Sequence, residues 1–275
     1  MAKIIFIPLD IDGYLFNSGS RMIRVDWIVP HLKADVYDRS QDLEQYDVII
    51  YQKAFMSNEV QILAEKFKHK LQIFDVCDPE HIFKPREFQY MVDRCQFITV
   101  SNEELKIEFE KKYNKPVYII PDRINLDFFK IKKVHIDKIP KIVWFGYQGN
   151  FQYVKYWRPE LEAYGLELVC ITEEPCDFGR FVKWEFTTFC SEIIKGDIVF
   201  NPKGPFKSNN KTLISWALGM PVAHKPEEIK KFLNVNTRIE EAEKRLKEVK
   251  SQWDVRLSAW ELNGLIIKHL RSKDA

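Results

Sequence analysis

Two stretches of this sequence carry residues whose types and spacing suit chemistry. The first is Asp10-Ile11-Asp12-Gly13, which closes the apolar run 4–9 near the start of the chain. Two carboxylates one residue apart at the end of a strand suit phosphoryl transfer through an aspartyl phosphate, with Asp10 as nucleophile and Asp12 as acid and base. That chemistry also needs a hydroxyl for the phosphoryl oxygens, a charge-neutralising lysine and a distal acidic pair that holds Mg2+. Ser101 offers the hydroxyl, and lysines are plentiful. The distal pair is lacking, because KGDIVFNPK (195–203) offers Asp197 alone.

The second stretch is NPKGPFKSNNK (201–211). It reads as a strand end, a loop with Lys203 and Lys207, and a helix opening at Ser208, Asn209, Asn210 and Lys211. A helix N-terminus presents free backbone N–H groups and the positive end of the dipole, so with lysines beside it the stretch suits an anion such as a diphosphate. A helix merely capped by Ser208 or Asn209 would leave the same residues. The anion reading gains from KIVWFGYQGN (141–150), a strand running into Gly146 and Gly149, where backbone can approach a phosphate or sugar closely.

Both stretches need strands to position them, and the chain supplies strands in alternation with helices. Nearly continuous apolar runs predict strands at 3–9, 47–52, 71–76, 96–101 and 116–121, with helices at 59–68 and 102–113. The charged stretch DRINLDFFKIKKVHIDKIPK (122–141) breaks the pattern. Beyond it come strands at 141–147, 166–172, 181–184 and 197–201, helices at 152–164 and 209–218, and a short strand at 221–224. Two amphipathic helices close the chain, one from Thr237 and one from about Arg256. Alternation of this kind predicts α/β architecture: two Rossmann-like parallel-sheet domains facing a cleft, with C-terminal helices. The boundaries are 1–135 for an N-terminal domain and 136–275 for a C-terminal domain carrying the terminal helices.

Composition narrows the class. At 275 residues with net charge +2, the chain can bury two ordinary cores and is no constitutive nucleic-acid coat. No apolar run approaches the roughly 20 residues that span a bilayer, and no leader peptide is apparent, so a cytoplasmic protein is expected. Five cysteines without a Cys-x-x-Cys pair read as reduced thiols. Histidines are scattered, with Cys77 and His81 a lone pair, so no metal site is expected.

The Asp10–Gly13 loop resembles the nucleophile loop of haloacid-dehalogenase-type phosphatases, which implies a Mg2+-dependent phosphatase as one alternative; Tyr14 stands where that family has a small hydroxyl residue. A broader resemblance covers residues 3–225. The order ITVSNEELKIEFEKKYNKPVYIIPDRINLDFF (98–129), KIVWFGYQGN and DIVFNPKGPFKSNNKTLISWALGMPVA (197–223) resembles nucleotide-sugar glycosyltransferases of the GT-B fold, of the group 1 or group 4 retaining kind. NSGSRMIRVDWIVPHL (17–32) resembles the turn and first helix of a bacterial branch.

This resemblance implies a hexosyl- or pentosyltransferase with no prosthetic group and no metal, moving a sugar from a nucleotide-sugar co-substrate, a UDP-sugar first and a GDP-sugar second, to a hydroxyl acceptor. Gly146 and Gly149 would face the donor. Lys183 and Trp184 would lie near its base, and Lys207, Ser208, Asn209, Asn210 and Lys211 would surround its diphosphate. Arg21 and Arg24 could reach a phosphate on the acceptor side, where Asp10, Asp12, Asp75 and Asp78 are candidates to orient or deprotonate the acceptor, Asp12 and Asp78 as catalytic groups. A glycan or lipid-linked precursor is the first acceptor expected. A hydroxymethylated base in DNA is the second, permitted by Lys53, Lys84, Arg86, Tyr90 and Arg94. Departures are Ile214 and Phe206, where the family carries glutamates, and Arg123, where a glycine is common. With those carboxylates missing, a non-catalytic nucleotide-sugar-binding protein is a third reading.

Overall fold

The structure is a computed structural model that describes residues 2–13 and 19–273. The expectation attached to Tyr14 lies outside the described residues, as do Asn17 and Ser18 at the head of the NSGSR stretch.

The expected strands form, and all of them pair in parallel. Ile4–Pro8 (β1), Asp35–Val36 (β2), Val48–Gln52 (β3), Leu71–Val76 (β4), Phe97–Val100 (β5) and Val117–Ile119 (β6) make a six-stranded sheet in the order β2-β1-β3-β4-β5-β6. Its register sets Ile5 opposite Ile49 and Ile73 opposite Phe97. Strands β1, β3, β4 and β5 are buried along their whole length, as strands covered on both faces must be, which is why they read as unbroken apolar runs. The two-residue β2 carries no such run and was not legible.

A second sheet is built from Ile142–Phe145 (β7), Leu168–Thr172 (β8), Arg180–Lys183 (β9), Ile198–Phe200 (β10) and Val222–Ala223 (β11), in the order β11-β10-β7-β8-β9. Strands β10 and β7 are therefore neighbours, with Val199 opposite Val143. Edge strand β9 is mostly exposed, consistent with its mixed composition.

Helices start where capping side chains allow. Ser57 accepts from the Val60 N–H at the head of helix Asn58–Lys66, and Asn102 from the Leu105 N–H at the head of Glu103–Lys112. Helix Pro85–Arg94 is not among the sequence predictions; it buries Phe88, Met91 and Val92 at spacings of three and one. Phe55, Phe74, Phe88 and Phe109 meet mostly edge-on in the core of the first sheet, each worth about 2 kcal/mol by its removal from water.

By internal contacts the chain divides into one unit of Met1–Arg123, Phe206–Ser208 and Val255–Ala275, and a second of Ile124–Pro205 and Asn209–Asp254. The last helix, Val255–Lys273, thus goes with the first sheet rather than with the second half of the sequence. The amphipathic stripe that identifies a helix says nothing about which sheet receives it. Among the described residues no helix is long and apolar enough to cross a membrane.

Candidate functional site

Ligands of open parallel sheets bind outside the carboxyl ends of the strands. In the second unit, β7 runs into Gly146, whose φ of 141° is one that side-chain-bearing residues rarely adopt. A Cβ at this position would lie 2.4 Å from the Lys211 ammonium, so the bare backbone is what admits that group. Lys211 stands in the first turn of helix Asn210–Ala217, which follows β10, and its ammonium also lies 5.0 Å from the centroid of the Trp144 ring. The adjacency of β10 and β7 joins these two motifs. A cation, a glycine turn and a helix N-terminus then meet at one spot, an arrangement suited to an anion.

The neighbouring strand ends complete the rim. Lys183 ends β9 and is exposed; the following Trp184 N–H donates to the Thr172 carbonyl at 2.7 Å. The half-buried Trp184 ring stacks on Phe189 at 4.6 Å, which fixes its plane as a platform. The Gly149 turn lies under the Tyr147 ring, only 2.7 Å from where a Cβ would be. Asn209 occupies the cap position without capping by its side chain, which instead accepts from Lys203. Asn210 turns back to accept from the Lys211 N–H at 2.6 Å.

Three further residues here were not assigned a role from the sequence. Buried Asn201 donates from Nδ2 to Thr212 Oγ1 at 3.1 Å, tying the end of β10 to the helix. His224 Nδ1 lies 2.8 Å from the Asn201 carbonyl, and Thr172 closes β8 beside Gln148 and Glu173. Their only sequence signal was position, one residue past or at the end of an apolar run.

Two other expected diphosphate residues are grouped with the first sheet. Lys207 and Ser208 belong to the first unit, where Lys207 Nζ donates to Asp78 Oδ1 at 2.8 Å. Phe206, in place of a family glutamate, takes a positive φ of 61° and packs against the first core beside His81. Ile214, in place of the other, is buried. Arg123 forms a bidentate pair with Glu261 at 2.7 and 2.8 Å.

In the first unit the acidic candidates are already engaged. Asp12 accepts three backbone N–H groups, from Phe55 and Met56 at 2.8 Å and from Ser57 at 3.0 Å, and so pins the turn before helix Asn58–Lys66. Asp10 pairs with Arg21, which also reaches Asp26. Arg24 is not the phosphate contact expected: its guanidinium, 2% exposed, is spent on Asp75, Asp122 and the Ile120 carbonyl. Asp78 lies between Lys53 at 2.7 Å and Lys207. Burial works against its charge, but the two ammonium groups outweigh burial and hold its carboxyl well below the usual range. Burial, reinforced by the Asp78 charge, raises neighbouring Glu80. At the carboxyl ends of β1 and β2 a cavity of about 360 Å3 is lined by Asp10, Arg21, Tyr37 and Arg39.

These commitments count against an aspartyl-phosphate mechanism. Asp12 is a turn anchor, and Asp197, the lone distal acid, is buried on Lys133 at 2.9 Å and on the Lys141 N–H. Asp12→Ala is expected to cost about 2 kcal/mol through three lost acceptor bonds, read as a lowered urea midpoint; an unchanged midpoint would remove the anchoring role.

No model of a known protein family and no curated protein matches the chain. Solved structures do. An alpha-glucosyltransferase in complex with UDP-glucose and DNA containing an abasic site superposes with a TM-score of 0.56 at 12% identity, over 94% of this chain and 93% of that one. The apo form of the lipopolysaccharide outer core galactosyltransferase WaaB gives 0.56 at 11% identity, over 97% and 99%. A chain of the Glycosylation Associate Protein (Gap123) complex from Streptococcus agalactiae gives 0.41 at 9%, over 74% of this chain; the protein spans about half, 51%, of that one. At such identities the likeness is one of fold. Two parallel-sheet α/β units, of six and five strands, and the likeness to the alpha-glucosyltransferase and to WaaB define the fold as GT-B.

Proposed function

We propose that the protein is a metal-independent glycosyltransferase that moves a sugar from a nucleotide-sugar donor to a hydroxyl acceptor, with retention at the anomeric carbon. The observation that carries this reading is the Lys211 ammonium seated against Gly146 at the head of helix Asn210–Ala217. A nucleoside diphosphate leaving group develops charge as the glycosidic bond breaks, and a preorganised cation with a helix N-terminus stabilises that charge in the transition state. Trp184 offers a stacking face for the base and Lys183 a charge beside it; Gly149, Asn209 and Asn210 border the phosphates. A UDP-sugar is the preferred donor and a GDP-sugar the second, the former supported by the UDP-glucose bound in the similar alpha-glucosyltransferase.

The first unit then takes the acceptor, for which the polar cavity at Asp10, Arg21 and Arg39 is the candidate. Asp78 is the better candidate than Asp12 for a catalytic carboxylate, since Asp12 is fixed by backbone donors. In the resting arrangement Asp78 is a weak base, and it gains basicity when Lys207 leaves it. A glycan or lipid-linked acceptor, met in the cytoplasm, is the reading we adopt; the cytoplasmic setting rests on the reduced thiols expected from the sequence. The DNA-base alternative draws on the DNA in the same similar structure. Against it, two of the residues that permit it are engaged within the fold: Lys53 is held by Asp78 and Glu80, and Arg94 stacks on Tyr90 and pairs with Glu65.

Thermal denaturation with UDP-, GDP-, TDP- and CDP-sugars tests the proposal. A donor at 100-fold excess over its dissociation constant adds about 2.7 kcal/mol to the folded state, so a rise in midpoint is expected with one nucleotide class, UDP-sugars first. No shift with any of them overturns the reading.

A further inference from the structure

The last helix, Val255–Lys273, buries one face, where His269 stacks on Phe97 at 4.4 Å. Its other face is exposed. Trp260 is 74% exposed, and Leu257 and Ile267 are exposed with it. Lys268 and Arg271 flank them, and their helical positions put all five on one stripe. Glu261 is the helix's single carboxylate, and its charge is matched by bidentate Arg123. Beside the stripe runs an apolar groove of about 540 Å3, between Trp260, Gly264 and Ile267 and the edge strand β6 with its continuation, Tyr118, Ile119 and Ile120. Lys268 stands at its border, 5.8 Å from the Tyr118 ring centroid.

We infer that this face docks on an anionic bilayer surface. An apolar stripe centred on a tryptophan and flanked by cations, with the helix's single carboxylate matched by Arg123, fits the headgroup boundary: the indole and aliphatic side chains enter the acyl edge while Lys268 and Arg271 meet lipid phosphates. Charge complementarity selects this occupant. A second copy of the chain would bring Lys268 and Arg271 against themselves. The inference rests on the helix alone and stands or falls separately from the sugar-transfer reading.

Co-sedimentation with vesicles tests it. Wild-type protein is expected to pellet with vesicles of phosphatidylcholine containing phosphatidylglycerol, to stay in solution with phosphatidylcholine alone, and to be released by salt. Trp260→Ala and the double variant Lys268→Glu/Arg271→Glu are each expected to weaken partitioning by about tenfold, with thermal midpoints unchanged because these side chains are exposed. Absence of binding, equal binding to neutral vesicles, or wild-type binding by the charge-reversed variant overturns it. So does self-association in sedimentation equilibrium that Trp260→Ala abolishes, if no vesicle binding accompanies it.

Discussion

Replacing Arg24 with methionine is expected to destabilise the first unit by about 3–5 kcal/mol, enough to unfold a marginal domain. The guanidinium stands in the wide π turn Met22–Asp26, and its Nε and Nη2 both reach the Asp75 carboxylate. Its Nη1 donates to Asp122 at 2.6 Å and to the Ile120 carbonyl at 2.9 Å. All three charged side chains are less than a tenth exposed, and Thr99 adds a donor to Asp75 at 2.6 Å. Burial opposes the arginine's charge, but the Asp75 and Asp122 carboxylates outweigh it and raise its pKa well above the ordinary value. Methionine matches the stem but not the charge, so two carboxylates would stay buried with no cation between them. Urea denaturation reads the loss. Adding Asp75→Leu and Asp122→Leu to Arg24→Met is expected to restore much of it, because an apolar replacement of a buried ion cluster removes the desolvation cost as well. A normal midpoint with weakened ligand binding would instead return Arg24 to the phosphate-contact role that its sequence position suggested.

Arg24 also shows where sequence reading stops. In MIRVDW an arginine reads as an exposed charge on a helix, and nothing local says that aspartates some fifty and a hundred residues away converge on it. The strands were legible because burial on both faces of a parallel sheet demands unbroken apolar runs, as in Val48–Gln52 and Leu71–Val76. Helix Pro85–Arg94 was missed because its polar residues outnumber the three it buries. The site was half legible. Gly146 and Lys211 each drew notice within their own motifs, but their meeting depends on β10 lying beside β7, which is a property of sheet order rather than of either stretch. Nor did the stretch that carries Lys207 and Lys211 show that Phe206–Ser208 goes with the first core, where Phe206 packs and Asn102 and Glu104 hold its backbone.

The sharpest test of the site removes the Lys211 charge in two ways. Lys211→Met keeps an unbranched side chain and deletes the ammonium that lies over the Trp144 ring. Nucleotide-sugar turnover should fall about 100-fold to 1,000-fold, the range for losing one preorganised group that stabilises transition-state charge. Gly146→Ala attacks the same feature from the backbone. Its Cβ would sit 2.4 Å from Nζ and 2.6 Å from Cε of Lys211, and the flexible end of the lysine can yield where backbone could not. The variant should therefore displace the ammonium and lose turnover in the same direction as Lys211→Met. The alanine at φ 141° adds backbone strain of about 1–3 kcal/mol. The double variant separates the two effects: once the ammonium is gone, Gly146→Ala has no cation left to displace, and its cost in turnover should shrink while its cost in stability remains. Steady-state kinetics on the active nucleotide sugar, with urea midpoints of all three variants, measures both. Fully additive losses in turnover would mean that Gly146 acts on the donor by another route, and an unaffected Lys211→Met would remove Lys211 from the diphosphate site.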